Sequence, residues 1–453
     1  MPNSPDPEAA RLEQQARKTL EKAPHYLTSV TQMADLKEVV TREEVFAANG
    51  IKLINKGIAI GSGLRERLLN HVLLKPIDQS LEVKDGVNGE LLAREAGSLV
   101  AREPFLQRLL AGGEELQACQ RALREMELPE QLGFKLTVTR ERLPWLFQHV
   151  LTVVLIGHFL AQRLQLSPQQ CSATLLAGLM HDLGELHTDP ALLDRRHRMS
   201  HEELHYVDVH PITGYLIANE ILGPRSEVAT AVLQHHERLD GSGYPHRLRG
   251  EAIGQLARII ALADACASIS ARCRGSERLR VLMLLNRQKL DPVLIALLHR
   301  ELGRIDDADP AESPGMVQLQ AAARLLQRWA VLASAFPAQH PPELAFLFER
   351  IADLRFMLLQ FGLNPDDLQS MQALIGEQAI AGELGAAFDE VRWQITDLAR
   401  EIQRRREAFG QTLSGADRAL IEACLSEIQI YLLMTMPHER APASEHRRQV
   451  SPL

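Results

Sequence analysis

Gln234–Pro245 reads QHHERLDGSGYP. Two adjacent histidines meet a carboxylate, then Asp-Gly, then Gly-Tyr-Pro. Upstream, Leu175–Leu186 reads LLAGLMHDLGEL and sets His181-Asp182 at the end of an apolar run. A packed core needs neither adjacent histidines nor a His-Asp pair closing an apolar helix. Neutral imidazole with carboxylate is a ligand set for Zn, Fe, Mn or Ni. The chain reads as organised to bring these two stretches into one cavity.

The intervening periods are helical. Pro144 can start a helix that carries His149 and runs to Leu166. Leu175–Gly184 is an apolar helix ending in His181-Asp182. Ser200–Leu222 carries His210, Glu227–Glu237 carries His235-His236, and Ala252–Ile269 carries Asp264. Nothing here alternates like a strand, so the expectation is an all-helical domain. Eleven of the seventeen histidines lie between His149 and His246, an excess that wants an explanation. His158, His197, His201, His205 and His246 are read as lying on polar faces or loops. His181, Asp182, His210, His235, His236 and Asp264 sit among apolar neighbours, where an unpaired ionisable group is expensive and a metal-bound one is compensated.

Composition narrows the rest. Hydrophobic content of 45% belongs to a folded chain. A net charge of −8 and a pI near 6.1 give no basic field for nucleic acid or an anionic membrane. Five scattered cysteines make no disulfide framework and read as reduced thiols of a cytoplasmic protein. The longest apolar run, Val150–Ile156, is too short to span a bilayer, so no membrane span is expected.

Outside the centre the expectations are structural. Residues 1–35 read as a flexible tail with one short helix. Residues 36–90 read as a small α+β module: Asn49-Gly50, within EVFAANGIKLINKGIAI, signals a hairpin with a type I′ turn. Ser62 would then cap a helix that ends before Pro76. Residues 91–140 form a helical connector with a break at Gly112-Gly113. Residues 305–440 carry further helical periods (313–335, 341–361, 380–409 and 414–436), a C-terminal helical bundle for dimerisation, partner docking or support. Residues 441–453 read as disordered.

The order His149, His181-Asp182-Leu-Gly, His210-Pro-x-x-Gly214, His235-His236-Glu-x-x-Asp240-Gly-x-Gly243-Tyr244-Pro245 and Asp264 resembles the HD-GYP domain, a branch of the HD phosphohydrolases. The resemblance covers residues 141–304. It implies a mainly α protein with a central all-helical HD-domain bundle. It also implies hydrolysis of cyclic di-GMP at a site with two divalent metal ions, iron, manganese or similar. Two such ions can clamp a phosphodiester and acidify a bound water. By position, His149, His181, Asp182, His210, His235, His236 and Asp264 would be ligands, with Asp182 bridging. Gly241, Gly243, Tyr244 and Pro245 would line the substrate pocket, Tyr244 close to the chemistry, although the two glycines also suit a turn that needs positive φ.

The chain also departs from the pattern. Glu185 stands where the family has lysine; it would repel substrate phosphate unless it reaches a metal or a group beside one. Trp145 takes the place of a third-metal glutamate, which favours two ions. Arg272 and Arg274 lie near, but out of register with, an arginine element that would face substrate. The implied partners are cyclic di-GMP, a GGDEF-type or other signalling protein, and a second copy of the chain. Two alternatives stand beside the phosphodiesterase: a non-catalytic effector that binds metal or nucleotide and signals through its flanking helices, and an HD phosphohydrolase acting on another nucleotide.

Overall fold

The computed structural model describes residues 7–110, 112–193, 201–270 and 289–302, and, farther on, 321, 324–325, 328, 344–360, 381–406, 409 and 413–434. The chain forms two compact units, Met1–Asp309 and Pro310–Leu453. Both are mainly helical.

The first unit begins with α1 (Pro7–Lys22) and α2 (Pro24–Ala34). These two helices replace the expected flexible tail. Leu12 and Ala16 of α1 are buried against Val209 and Ile212. Tyr26, Leu27, Val30 and Met33 of α2 enter the main core. Pro7 and Pro24 open these helices, where their missing N–H costs nothing.

Strands β1 (Val39–Thr41) and β4 (Leu81–Val83) pair antiparallel, and β2 (Val45–Phe46) pairs with β3 (Lys52–Ile54). The hairpin forms where Asn49-Gly50 signals it, but not as type I′. Gly50 has φ of +84°, whereas Asn49 is not among the residues with positive φ. The Gly50 amide donates to Ala47 O at 2.9 Å, and the Ala47 amide to Ile51 O at 2.8 Å. This is a three-residue loop closed by a left-handed glycine. The helix expected from Ser62 to Pro76 is shorter: a 3-10 turn (Ser62–Leu64) leads into α3 (Arg65–Leu69), with no side-chain cap from Ser62. Beyond it the chain pairs with the hairpin instead, the Ala48 amide bonding Val72 O and the Leu74 amide bonding Phe46 O.

Then follow α4 (Gly89–Val100), α5 (Pro104–Leu109), α6 (Glu114–Glu125), α7 (Glu130–Arg142), α8 (Pro144–Arg163), α9 (Pro168–Met180), α10 (His201–Asp208), α11 (His210–Leu222), α12 (Glu227–Gln234), α13 (Gln255–Ser270) and α14 (Pro292–Leu302). The stretch 91–140, expected as a helical connector, packs on α8 through α4, α6 and α7. Helix α8 is long and apolar enough to cross a membrane, yet most of it is buried between α9 and α13. His158, expected on a polar face, is buried on this helix. Helix α9 starts earlier than its apolar run: Ser167 accepts from the Gln170 amide, and Gln170 bonds back to the Ser167 amide. The expected helix Ser200–Leu222 is broken at Val209, just before His210-Pro211, so that a new helix begins at the histidine. Ser226 caps α12.

A buried polar seam joins the amino-terminal module to the helices behind it. Lys135 of α7 pairs with Asp78 at 3.2 Å, both nearly inaccessible. The ammonium also sits 4.3 Å from the Tyr26 ring centre. His187 stacks on the other partner in this group, its ring 4.9 Å from that of Tyr26.

The second unit is described chiefly by α15 (Ala345–Gln360), α16 (Ala381–Arg404) and α17 (Gly415–Met434). Helix α16 packs on both others. Arg350 is buried against Asp397 and Glu401, and Arg405 lies over the Phe346 ring. The expected period 313–335 and the tail 441–453 lie largely or wholly outside the described residues.

Candidate metal centre

Five elements converge. The second turn of α8 supplies His149. The end of α9 supplies His181 and Asp182, the start of α11 supplies His210, and the end of α12 supplies His235 and His236. Asp264 comes from the middle of α13. The seven side chains expected as ligands therefore meet, in two adjoining clusters that could each hold a metal ion. One is Asp182, His210, His235 and His236; the other is His149, His181 and Asp264.

Asp182 stands between them. Its Oδ2 lies 3.0 Å from His181 Nε2 and 3.5 Å from His149 Nε2. Its Oδ1 lies 3.5 Å from both His210 Nε2 and His235 Nε2. Asp264 closes the second cluster, with Oδ1 3.2 Å from His149 Nε2 and Oδ2 3.7 Å from His236 Nδ1.

The imidazoles are oriented by the backbone. His181 Nδ1 faces Gly178 O at 2.8 Å, His210 Nδ1 faces Val207 O at 2.7 Å, and His235 Nδ1 faces Val232 O at 2.6 Å. A carbonyl can only accept, so each Nδ1 carries a proton, and in the neutral ring Nε2 is left with the lone pair. The Nε2 atoms converge: His181 and His149 Nε2 are 3.4 Å apart, His210 and His235 3.4 Å, and His236 and His210 3.1 Å. Facing lone pairs repel unless a cation or proton lies between them. The donor set fits a divalent metal.

Electrostatics agree. Burial pushes His210 down to about 4, against the pull of Asp182. Burial likewise holds His236 well below its ordinary value. For His181 burial also opposes the charge, but Asp182 and then Asp264 outweigh it and raise the ring to about 9. Asp182 stays well below the carboxylate range despite burial, because His181 lies against it; Asp264 is lowered to about 2, chiefly by His149. The carboxylates are thus charged, and His210 and His236 neutral, as metal ligands must be.

The Gly-Tyr-Pro stretch is arranged around His236. The Tyr244 ring stacks on the His236 ring at 4.8 Å, so it touches a candidate ligand. Gly241 takes φ of +80°. Gly243 serves a different need: a Cβ there would come within 2.4 Å of backbone atoms of His236, Glu237 and Arg238. Pro245 follows and is buried. Glu237, fully buried, accepts from the His246 amide at 2.7 Å and the Leu248 amide at 2.9 Å and so braces the loop. Glu185 lies half-buried in the 3-10 turn Leu183–His187, outside both clusters. Arg272 falls outside the described residues.

Sequence reasoning did not single out Glu237, His187 or Lys135. Glu237 stood beside the histidines with no local sign of its backbone partners. His187 and Lys135 are buried only by residues far away in the chain.

Residues 137–294 match the family described as HD domain. The chain is 34% identical over 175 residues to 3'3'-cGAMP-specific phosphodiesterase 1 of Vibrio cholerae, covering 37% of this chain and 40% of that protein. It is 34% identical over 119 residues to the cyclic di-GMP phosphodiesterase response regulator RpfG of Xanthomonas campestris, covering 26% and 32%. It is 31% identical over 125 residues to a cyclic di-GMP phosphodiesterase of Pseudomonas aeruginosa, covering 28% and 30%. The chain thus spans two fifths or less of the length of these relatives. Residues 137–294 therefore match an HD domain, and the His-Asp dipeptide, the converging histidines and Gly-Tyr-Pro in one helical bundle resemble the HD-GYP kind.

Proposed function

We propose that the chain is a metal-dependent phosphodiesterase of guanine-containing cyclic dinucleotides, cyclic di-GMP first among them. The observation that carries this reading is Asp182, whose two oxygens face two histidine clusters. His149, His181, Asp264 and one Asp182 oxygen would hold one divalent ion; His210, His235, His236 and the other oxygen would hold the second. Bound there, two such ions supply charge for the phosphodiester oxygens and an acidified water. The protein's part is orientation and exclusion. Backbone carbonyls fix three imidazoles, Tyr244 packs over His236, and the braced loop closes the rim. The similarity to cyclic di-GMP and cGAMP phosphodiesterases supports the substrate class.

The test is hydrolysis of cyclic di-GMP and 3'3'-cGAMP by protein loaded with Mn²⁺ or Fe²⁺, against the same protein stripped by chelator. Turnover by the loaded protein alone is expected. Absence of turnover and of binding by protein holding two ions contradicts it. Glu185, in place of a lysine, favours a second reading, a non-catalytic effector that keeps metal and nucleotide binding. That reading predicts tight binding of cyclic di-GMP without product.

A further inference from the structure

A cavity of about 710 Å³ opens directly beside His149. It lies within the range of small-molecule sites. One wall is the first turns of α8, where Trp145 and His149 are one helical turn apart and share a face. Part of the lining is outside the stretch 137–294: Leu99 of α4, Glu103 just ahead of α5, and Phe105 and Leu106 of α5. Leu143 adds to the apolar lining. Trp145 is 43% exposed, although α8 is otherwise the most buried helix of the unit. In a chain with only 4% aromatic residues, an open indole and Phe105 in one cavity make a stacking surface for a flat ring.

We propose that this cavity is a guanine-base subsite, with Trp145 as its stacking platform and Glu103 as its reader. The assignment rests on the cyclic dinucleotide reading given above. A base in this cavity would hang from a sugar whose phosphate lies at the His149 cluster, since His149 borders both. Stacking on an aromatic ring accepts any base. Glu103 narrows the choice, because a carboxylate only accepts hydrogen bonds. Guanine offers it two adjacent donors, N1–H and the exocyclic amine, whereas adenine turns an acceptor, N1, toward it. One such subsite suits both cyclic di-GMP and 3'3'-cGAMP, each of which carries at least one guanine. Base recognition then comes from helices ahead of the HD domain, and the tryptophan in place of a third-metal carboxylate acts on the base.

The experiment is calorimetric titration of the metal-loaded full chain with GMP and with AMP, alongside metal analysis of each variant. Wild type binds GMP more tightly than AMP. Trp145→Ala weakens GMP by roughly 5- to 150-fold, the cost of one lost base–aromatic stack. Trp145→Phe restores most of the affinity, and Glu103→Gln removes the preference for GMP over AMP. Metal content stays at the wild-type level in all three. GMP affinity unchanged in Trp145→Ala, equal binding of GMP and AMP by wild type, or no GMP binding at all overturns the subsite. If GMP behaves as stated while cyclic di-GMP is not hydrolysed, the subsite stands and the phosphodiesterase reading falls.

Discussion

Glu185 lies one turn beyond Asp182 and is the residue where the chemical readings part. A carboxylate about 4 Å from a bound phosphodiester costs on the order of 4 kcal/mol at an effective dielectric near 20, roughly a thousandfold in affinity. Glu185→Lys is expected to raise cyclic di-GMP turnover and leave metal content unchanged, as measured by product formation and elemental analysis; a joint fall of both would make Glu185 a ligand. His158 gives a second prediction. Burial pushes its ring down to about 4, so the folded protein keeps it neutral while the unfolded chain takes up a proton below about 6.5. Stability is therefore lost as pH falls from about 6.5 toward 4, by up to about 3 kcal/mol from this residue. His158→Leu should flatten that acid limb in denaturant titrations at pH 7 and pH 5. The convergence of the seven candidate ligands was legible because adjacent histidines and a His-Asp pair in apolar sequence have no cheaper explanation. The burial of His158 was not, because one helical face looks polar or apolar only once α9 and α13 lie against it.

At the scale of elements, the helices are placed so that their ends deliver ligands. His181 follows the last residue of α9, His210 opens α11, and His235 follows α12. Pro144, Pro168 and Pro211 mark three of these helix starts, and Ser167 and Ser226 cap two. The start of α11 was missed because Ser200–Leu222 keeps one apolar period across the break, and periodicity alone does not see a proline's preference for the first turn. Likewise the short α3 yielded to pairing of residues 72–74 with the hairpin, a tertiary gain that no local propensity carries. Ser167→Ala removes the capping box of α9 and should cost about 1 kcal/mol in unfolding free energy. Because His181 is held by packing and by Gly178 O, metal content should survive it.

For the whole molecule, the amino-terminal helices and the HD domain form one unit, joined at the Lys135–Asp78 pair under Tyr26 and His187. Asp78→Ala leaves a buried ammonium unpaired and should destabilise the unit by about 3–5 kcal/mol. The double change Asp78→Leu with Lys135→Met should recover most of that loss, as read by denaturant midpoints. A chain ending at Asp309 should fold and bind metal, since every candidate ligand among the described residues lies in the first unit. A chain starting at 141 should not, because α1, α2, α4 and α7 cover the core that carries the ligands. The centre of this unit was readable from motif spacing. Of its amino-terminal half the hairpin and the helices over 91–140 were readable, but not the packing of α1 and α2, whose burial depends on residues far along the chain.

The most direct measurement is the metal content of the purified chain after loading with Mn²⁺ or Fe²⁺, in wild type and in Asp182→Ala. One carboxylate shared by two clusters requires about two ions per chain in wild type. Loss of that carboxylate should remove nearly all of both. Fewer than one ion per chain in wild type, or two ions retained without the Asp182 carboxylate, would contradict the shared centre.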